Sequence, residues 1–222
     1  MSSPLLSIQT LEYERDLYDS GISSIAGVDE VGRGALAGPL VSAAVILPRI
    51  EILTEDADFW ANVRDSKTLS AKKRETLASG IVERAICWSV HAIESTEIDE
   101  IGVGPANRVA MERAVLGLDR EPEVLLIDAM TIDSSTWQIG VIDGDALSLS
   151  IAAASIVAKV ARDTLMIEAG SRWPAYGFPQ HKGYGVRTHI AALQEHGPCE
   201  IHRRCFSPVR LAQEALDARQ KA

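Results

Sequence analysis

The stretch IAGVDEVGRGALAGPLVSAAVIL, residues 25–47, constrains the fold more than any other part of the chain. Two adjacent acids, Asp29 and Glu30, end an apolar run and lead straight into Gly32, Arg33 and Gly34; a second apolar run leaves from Pro39. Consecutive strand side chains point to opposite faces, so an unbroken strand buries one of the two acids and exposes the other. Paired acids beside a glycine–arginine–glycine turn suggest a bound cation with a phosphate near it. Arginine matches a phosphate in a planar fork, and glycines let backbone N–H groups approach an anion. Gly32, Gly34 and Gly38 also give G-x-G-x-x-x-G after a strand, close to the dinucleotide fingerprint. That motif must open a helix. Here Pro39 and the β-branched VSAAVIL follow, which predicts a second strand and a hairpin and argues against a nicotinamide or flavin site.

The 222 residues fit one domain, or one domain with a small appendage. At 46% hydrophobic and 24% charged the chain has the composition of a globular protein with a real core. No apolar run reaches the length of a membrane span, and Glu12, Glu14 and Asp16 interrupt the N-terminus before a signal-like apolar segment forms, so a cytoplasmic location is expected. Cys87, Cys199 and Cys205 are odd in number and lack C-x-x-C spacing, which fits reduced thiols and not a disulfide frame or a zinc knuckle. The net charge of −9 argues, taken over the whole molecule, against a nucleic-acid partner. Recognition is local, however, and four clustered carboxylates holding two divalent ions are formally neutralised at their own site. Basic residues gather at Lys67, Lys72, Lys73 and Arg74, at Lys182 and Arg187, and at Arg203 and Arg204; such runs are most often solvated surface.

The pattern predicts an N-terminal arm or helix over 1–24, strands over 25–31 and 40–47, and a loop over 52–70 that ends on Ser70 as a helix N-cap. A helix over 71–85, a strand over 86–93, a short turn-helix and an amphipathic helix over 105–118 follow. Strands over 123–128 and 137–143 precede the longest helix, 148–170, stopped by Gly170. Residues 171–222 form a helical C-terminal region that carries the loop SRWPAYGFPQHKGYG, with a last helix from about Val209. Strands first, then strands alternating with helices, predict an α/β fold: a mixed β-sheet flanked by helices, with a small helical C-terminal subdomain.

Acids at strand ends carry the chemistry. Asp29 and Glu30 end the first strand, Asp128 ends EVLLID, and Asp145 follows WQIGVIDG. If those strands are neighbours, the acids converge at one sheet edge and supply the oxygen ligands that Mg²⁺ or Mn²⁺ takes. Two such ions activate a water and stabilise the leaving oxygen of a phosphodiester displacement. Singly, each acid also fits a bland role: a surface charge for Glu30, a cap for Asp128, an Asx-turn for Asp145. Jointly the four favour a metal site.

At this point the chain resembles the type 2 ribonuclease H family, the bacterial ribonuclease HII. GVDEVGRG with AGPLVSAAVIL, DSKTLS at 65–70, LLIDA at 125–129, IAAASIVAKVARD at 151–163, YGFPQHKGYG at 176–185 and HRRCFSPV at 202–209 occur in family order. The resemblance implies a ribonuclease H-like catalytic domain over 25–170. It implies that Asp29, Glu30, Asp128 and Asp145 are catalytic carboxylates binding two Mn²⁺ or Mg²⁺ ions. It implies that Gly32, Arg33 and Gly34 grip the backbone around a ribonucleotide and read its 2′-hydroxyl, the one group that separates RNA from DNA at a site. Lys67 would hold a phosphate, and Tyr184 would pack on the sugar of the following deoxynucleotide. The implied substrates are RNA–DNA hybrids and DNA duplexes containing ribonucleotides. A protein partner is left open, and a monomer is expected.

The chain departs from the family pattern at Asp143-Gly144-Asp145, where members often carry Lys-Gly-Asp. Asp145 is the acid that aligns; Asp143 adds negative charge to the loop. Asp163 lies four residues after Lys159, within reach of a structural ion pair. Ser155, Lys159 and Arg162 form a polar stripe that could face the site or water; such stripes usually face solvent. The histidines fit hydrogen-bonding roles and not zinc, and Trp60, Trp88, Trp137 and Trp173 are expected in the core or in packing. Two rival functions remain at this level. Asp143-Gly144-Asp145 also fits the D-x-D nucleophile loop of a phosphatase, although that motif usually opens the first strand of its fold. A hybrid-binding module without catalysis is disfavoured by four intact acids.

Overall fold

The computed structural model describes residues 11–49, 54–64 and 69–220. Its strands are β1 (Ile25–Val31), β2 (Leu40–Ile46), β3 (Cys87–Ile93), β4 (Val124–Asp128) and β5 (Trp137–Val141), in the sheet order β3-β2-β1-β4-β5. The helices are α1 (Glu12–Asp19), α2 (Ala57–Trp60), α3 (Ala71–Arg84), α4 (Ser95–Ile101), α5 (Val103–Leu116), α6 (Gly144–Leu147), α7 (Leu149–Arg172), α8 (Phe178–His181), α9 (Arg187–His196) and α10 (Ser207–Gln220). The expected mixed sheet flanked by helices is what the chain forms. Ser70 caps α3 as expected, accepting the Lys73 N–H at 3.4 Å.

The chain divides into two compact units. One comprises Met1–Val31, Ser42–His91 and Arg108–Val160; the other comprises Gly32–Val41, Ala92–Asn107 and Ala161–Ala222. In the first, the β2 run is buried throughout because both faces of the sheet are covered. Ala43 and Val45 pack with Trp60, Leu77, Ile81 and the Leu149, Ala152 and Ile156 face of α7. The alternate residues Ala44 and Ile46 pack with Met111, Ala114, Leu125 and Ile127. Gly27 admits α7 to the sheet: a Cβ there would collide with the Ser150 backbone. In the second unit, Leu36, Leu193, Val209 and Ala212 form one cluster, and Ala37, Met166, Tyr176 and Phe178 form another.

Three local expectations need correction. The strand from 137 ends at Val141, so Asp145 sits in α6 and not in a loop after a longer strand. The long helix passes Gly170 and ends at Arg172; the glycine serves packing and not termination, since a Cβ there would collide with the Pro179 ring. Trp60 is buried and Trp173 packs against the second unit's core, but Trp88 and Trp137 are 42% and 54% exposed. Those two lie on the edge strands β3 and β5, which have a neighbouring strand on one side only.

A buried carboxyl ties α1 to the start of α7. Ser148 caps α7 by accepting the Ile151 N–H at 3.2 Å and donates its own proton to Glu14 Oε1 at 2.6 Å; the same oxygen accepts the Ser150 N–H at 2.9 Å. Burial raises the Glu14 pKa, with the Ser148 and Ser150 bonds opposing it. Glu14→Ala is therefore expected to cost about 2 kcal/mol in urea unfolding, leaving orphaned first-turn donors. Glu14→Gln keeps the acceptor and needs no buried charge, so it should remain within ~1 kcal/mol of wild type.

Candidate active site

The parallel register between β1 and β4 decides the site. Val28 pairs with Ile127, which brings the next residues, Asp29 and Asp128, level on neighbouring strands. Asp29, Glu30 and Asp128 each offer a carboxylate oxygen within 4.8 Å of the others, and among the described residues no other group of three or more potential ligands lies so close. Asp29 is buried and Glu30 half-buried, as strand alternation requires, yet both reach the same point. Glu30 is a residue from the strand end and has the longer side chain. Its own N–H donates to Asp29 Oδ1 at 2.7 Å.

Burial, then the charges of Glu30 and Asp128, hold the Asp29 carboxyl well above the usual carboxylate range; a hydrogen bond from Ser155 and the Glu30 N–H oppose them. Ser155 is buried in α7, so the polar stripe is not a solvent face at that residue. Three acids this close in a low-dielectric setting repel one another unless they are protonated or share a cation. An all-oxygen carboxylate set fits Mg²⁺ or Mn²⁺.

Asp128 Oδ1 also accepts the Gly144 N–H at 2.8 Å, which pins the start of α6 against β4. Asp145 follows in that turn and is 7% exposed, whereas Asp143 is exposed and in the left-handed conformation at φ 55°. Asp145 is not part of the three-acid group. Asp163 is half-buried, and its charge acts on Arg162.

Gly32, Arg33, Gly34 and Tyr184 belong to the second unit. Arg33 and Gly34 are exposed, Gly32 is buried, and Tyr184 is half-buried. A backbone hydrogen bond from Leu36 N to Gly183 O at 2.8 Å ties their two segments together, and Gly38 N to Ile201 O at 2.8 Å and Arg203 N to Leu36 O at 2.9 Å tie in a third, 201–203. Lys67 lies outside the described residues.

Two buried arginines complete this loop, and sequence reasoning missed both. Arg162, expected to face water, is 0% exposed. It donates to Pro39 O at 2.8 Å, Lys182 O at 2.9 Å and Ala37 O at 3.2 Å, and its guanidinium lies 5.3 Å from the Tyr184 ring centroid. Arg203 donates to Gly38 O at 2.9 Å and Arg33 O at 3.1 Å. Burial lowers the pKa of both, that of Arg203 to about 10 with help from the charge of Arg162. The guanidinium pair draws the loop's carbonyls inward. A signal for Arg162 was present in the sequence: it falls on the helical face of Ile151, Ser155 and Ala158, all buried.

No helix among the described residues is long and apolar enough to cross a membrane. The family model for ribonuclease HII matches residues 26–209. A ribonuclease HII of Ligilactobacillus salivarius is 50% identical over 200 residues, covering 90% of this chain and 76% of that protein. Among solved structures, ribonuclease H2 from Pyrococcus horikoshii superposes with a TM-score of 0.75 at 24% identity, over 88% of this chain and 99% of that one. Bst-RNase HIII in complex with Mn²⁺ gives 0.61 at 19% identity, over 100% of this chain and 75% of that one. The fold is shared with these structures, and the sequence match runs from the first strand to the last helix. The chain belongs to the ribonuclease HII family, whose members are metal-dependent nucleases.

Proposed function

We propose that this enzyme hydrolyses the RNA strand of RNA–DNA hybrids and nicks DNA duplexes on the 5′ side of an embedded ribonucleotide, leaving 3′-hydroxyl and 5′-phosphate ends. The observation that carries the reading is the convergence of Asp29, Glu30 and Asp128 within 4.8 Å. With Asp145, which is buried where Asp143 is exposed, they would hold two divalent ions, Mn²⁺ or Mg²⁺. When bound, such ions supply the positive charge that activates water and stabilises the leaving oxygen.

The residues themselves divide the remaining work. Arg33, exposed beside two glycines, grips the phosphate backbone, while Gly32 and Gly34 let the main chain reach the ribose 2′-hydroxyl. Tyr184 packs on the sugar of the next deoxynucleotide, and Lys67 holds a phosphate. Phosphate contacts position the strand, and the 2′-hydroxyl contact specifies it. The cellular role is ribonucleotide removal and primer clearance in the cytoplasm, by a monomer. A phosphatase reading of Asp143-Gly144-Asp145 gains no support: Asp143 is exposed on a left-handed turn, and the family is one of nucleases.

The test is a DNA duplex carrying a single ribonucleotide. Cutting is expected with Mn²⁺ or Mg²⁺ and none with EDTA, with end-labelling showing a 3′-hydroxyl on the upstream fragment. Cleavage that persists in chelator rejects the metal mechanism, and turnover of small phosphate monoesters alone would favour the phosphatase.

A further inference from the structure

The loop that carries Tyr184 rests on a chain of buried histidines that the proposed chemistry does not use. His189 and His202 are 0% and 1% exposed, and their Nε2 atoms are 3.0 Å apart. One nitrogen of that pair must donate and the other accept. The direction is fixed from one end. The Cys199 N–H donates to His202 Nδ1 at 2.9 Å, so that nitrogen carries no proton, and the His202 proton sits on Nε2. His202 Nε2 therefore donates to His189 Nε2, which places the His189 proton on Nδ1. That Nδ1 lies 3.0 Å from the carbonyl oxygen of Tyr184, which accepts the Val186 N–H at 2.8 Å as well and has a second lone pair for the imidazole proton.

A third histidine holds the residue before. The Gly183 N–H donates to His181 Nδ1 at 3.2 Å, so His181 Nε2 carries the proton given to Tyr176 O at 2.7 Å. The His181 and His189 rings stack at 4.5 Å with 15° between their planes, and Phe178 packs edge-on against His189 at 5.6 Å. The Gly183 N–H and the Tyr184 carbonyl are thus held by two stacked imidazoles. Each has one allowed tautomer.

We propose that His189, its tautomer set by His202, is a positioning residue for Tyr184, and that this relay determines how sharply the enzyme distinguishes an RNA-to-DNA junction from uniform hybrid. The inference rests on the reading of Tyr184 as the residue that packs on the deoxy sugar. A tyrosine ring recognises a sugar by its face. A shift of the backbone that carries it changes the fit to the following sugar more than it changes the grip on phosphates made elsewhere.

The experiment compares Tyr184→Ala, His189→Leu and His189→Asn on two substrates, a junction duplex and a uniform RNA–DNA hybrid, with kcat and KM separated. His189→Leu is expected to lower the junction-to-hybrid ratio of kcat/KM by ~10-fold, mostly through KM for the junction substrate. His189→Asn retains a donor and should recover most of that ratio, which a packing role alone would not predict. If Tyr184→Ala loses the preference and His189→Leu keeps it, the relay is overturned and the reading of Tyr184 stands. If Tyr184→Ala itself keeps the preference, the reading of Tyr184 fails, and the discrimination claim fails with it. Imidazole ¹⁵N spectra of the wild-type protein decide the matter even if the variants do not fold. Nδ1–H on His189 with Nε2–H on His202 is expected, and the reverse pair overturns the proposal.

Discussion

Asp128→Asn is expected to reduce cleavage of a ribonucleotide-containing duplex by at least ~10³-fold, about 4 kcal/mol of transition-state stabilisation, while hybrid binding survives. The variant separates charge from shape. Asparagine keeps an oxygen at the position that accepts the Gly144 N–H at 2.8 Å, so the start of α6, and with it Asp145, stays in place. What disappears is one of three carboxylates within 4.8 Å, and with it charge that a divalent ion needs. Strand binding depends on other groups and should change little, because phosphate contacts dominate affinity. Gel-shift titration in EDTA beside a cleavage time course in Mn²⁺ makes both measurements. A wild-type rate in this variant would remove Asp128 from the site. The same loss of charge should raise metal-free stability slightly, since the mutual repulsion that helps to push up the Asp29 pKa is reduced.

Gly32→Ala is expected to damage the fold and the activity together. Gly32 has φ 93°, where an alanine is strained by about 1–3 kcal/mol. A Cβ there would also collide with Arg162 Nε. Arg162 has nowhere to retreat, because it is buried and bound to the carbonyls of Pro39, Lys182 and Ala37. Displacing a buried charge from those acceptors costs about 1.5–3 kcal/mol more. The sum, roughly 2.5–6 kcal/mol, should appear as a lower urea midpoint, with a ~10²-fold loss of cleavage as the loop shifts. Gly34→Ala is the control. Its Cβ would meet nothing within 4 Å, so stability should stay within ~0.5 kcal/mol, and any loss of cleavage there reports substrate approach. Equal stability of the two variants would show that Arg162 does not fix the loop.

Much of this protein is legible along the chain because its signals are local. The alternation around Asp29, the proline that turns GRGALAG into a hairpin, the Ser70 cap and the apolar run of the long helix each depend on a few neighbouring residues. Physical chemistry restricts such neighbours to few conformations. The meeting of Asp29 with Asp128 was foreseeable as a possibility, since both close buried strands. It became a fact through the β1–β4 register, which places the two level.

Other features depend on partners distant in sequence, and local pattern does not name those partners. An arginine in an alanine-rich helix predicts a solvent-facing charge until the carbonyls of Ala37 and Pro39 come to meet it. Glu14 predicts an exposed helix residue until the first turn of α7 supplies its donors. The tautomers of His189 and His202 exist only because a backbone N–H and a backbone carbonyl close the two ends of the pair. The strands, the helices and the residue types able to bind a cation follow from neighbours along the chain. The tertiary structure decided which charges are buried, because burial is set by the elements that cover a side chain and not by the residues beside it.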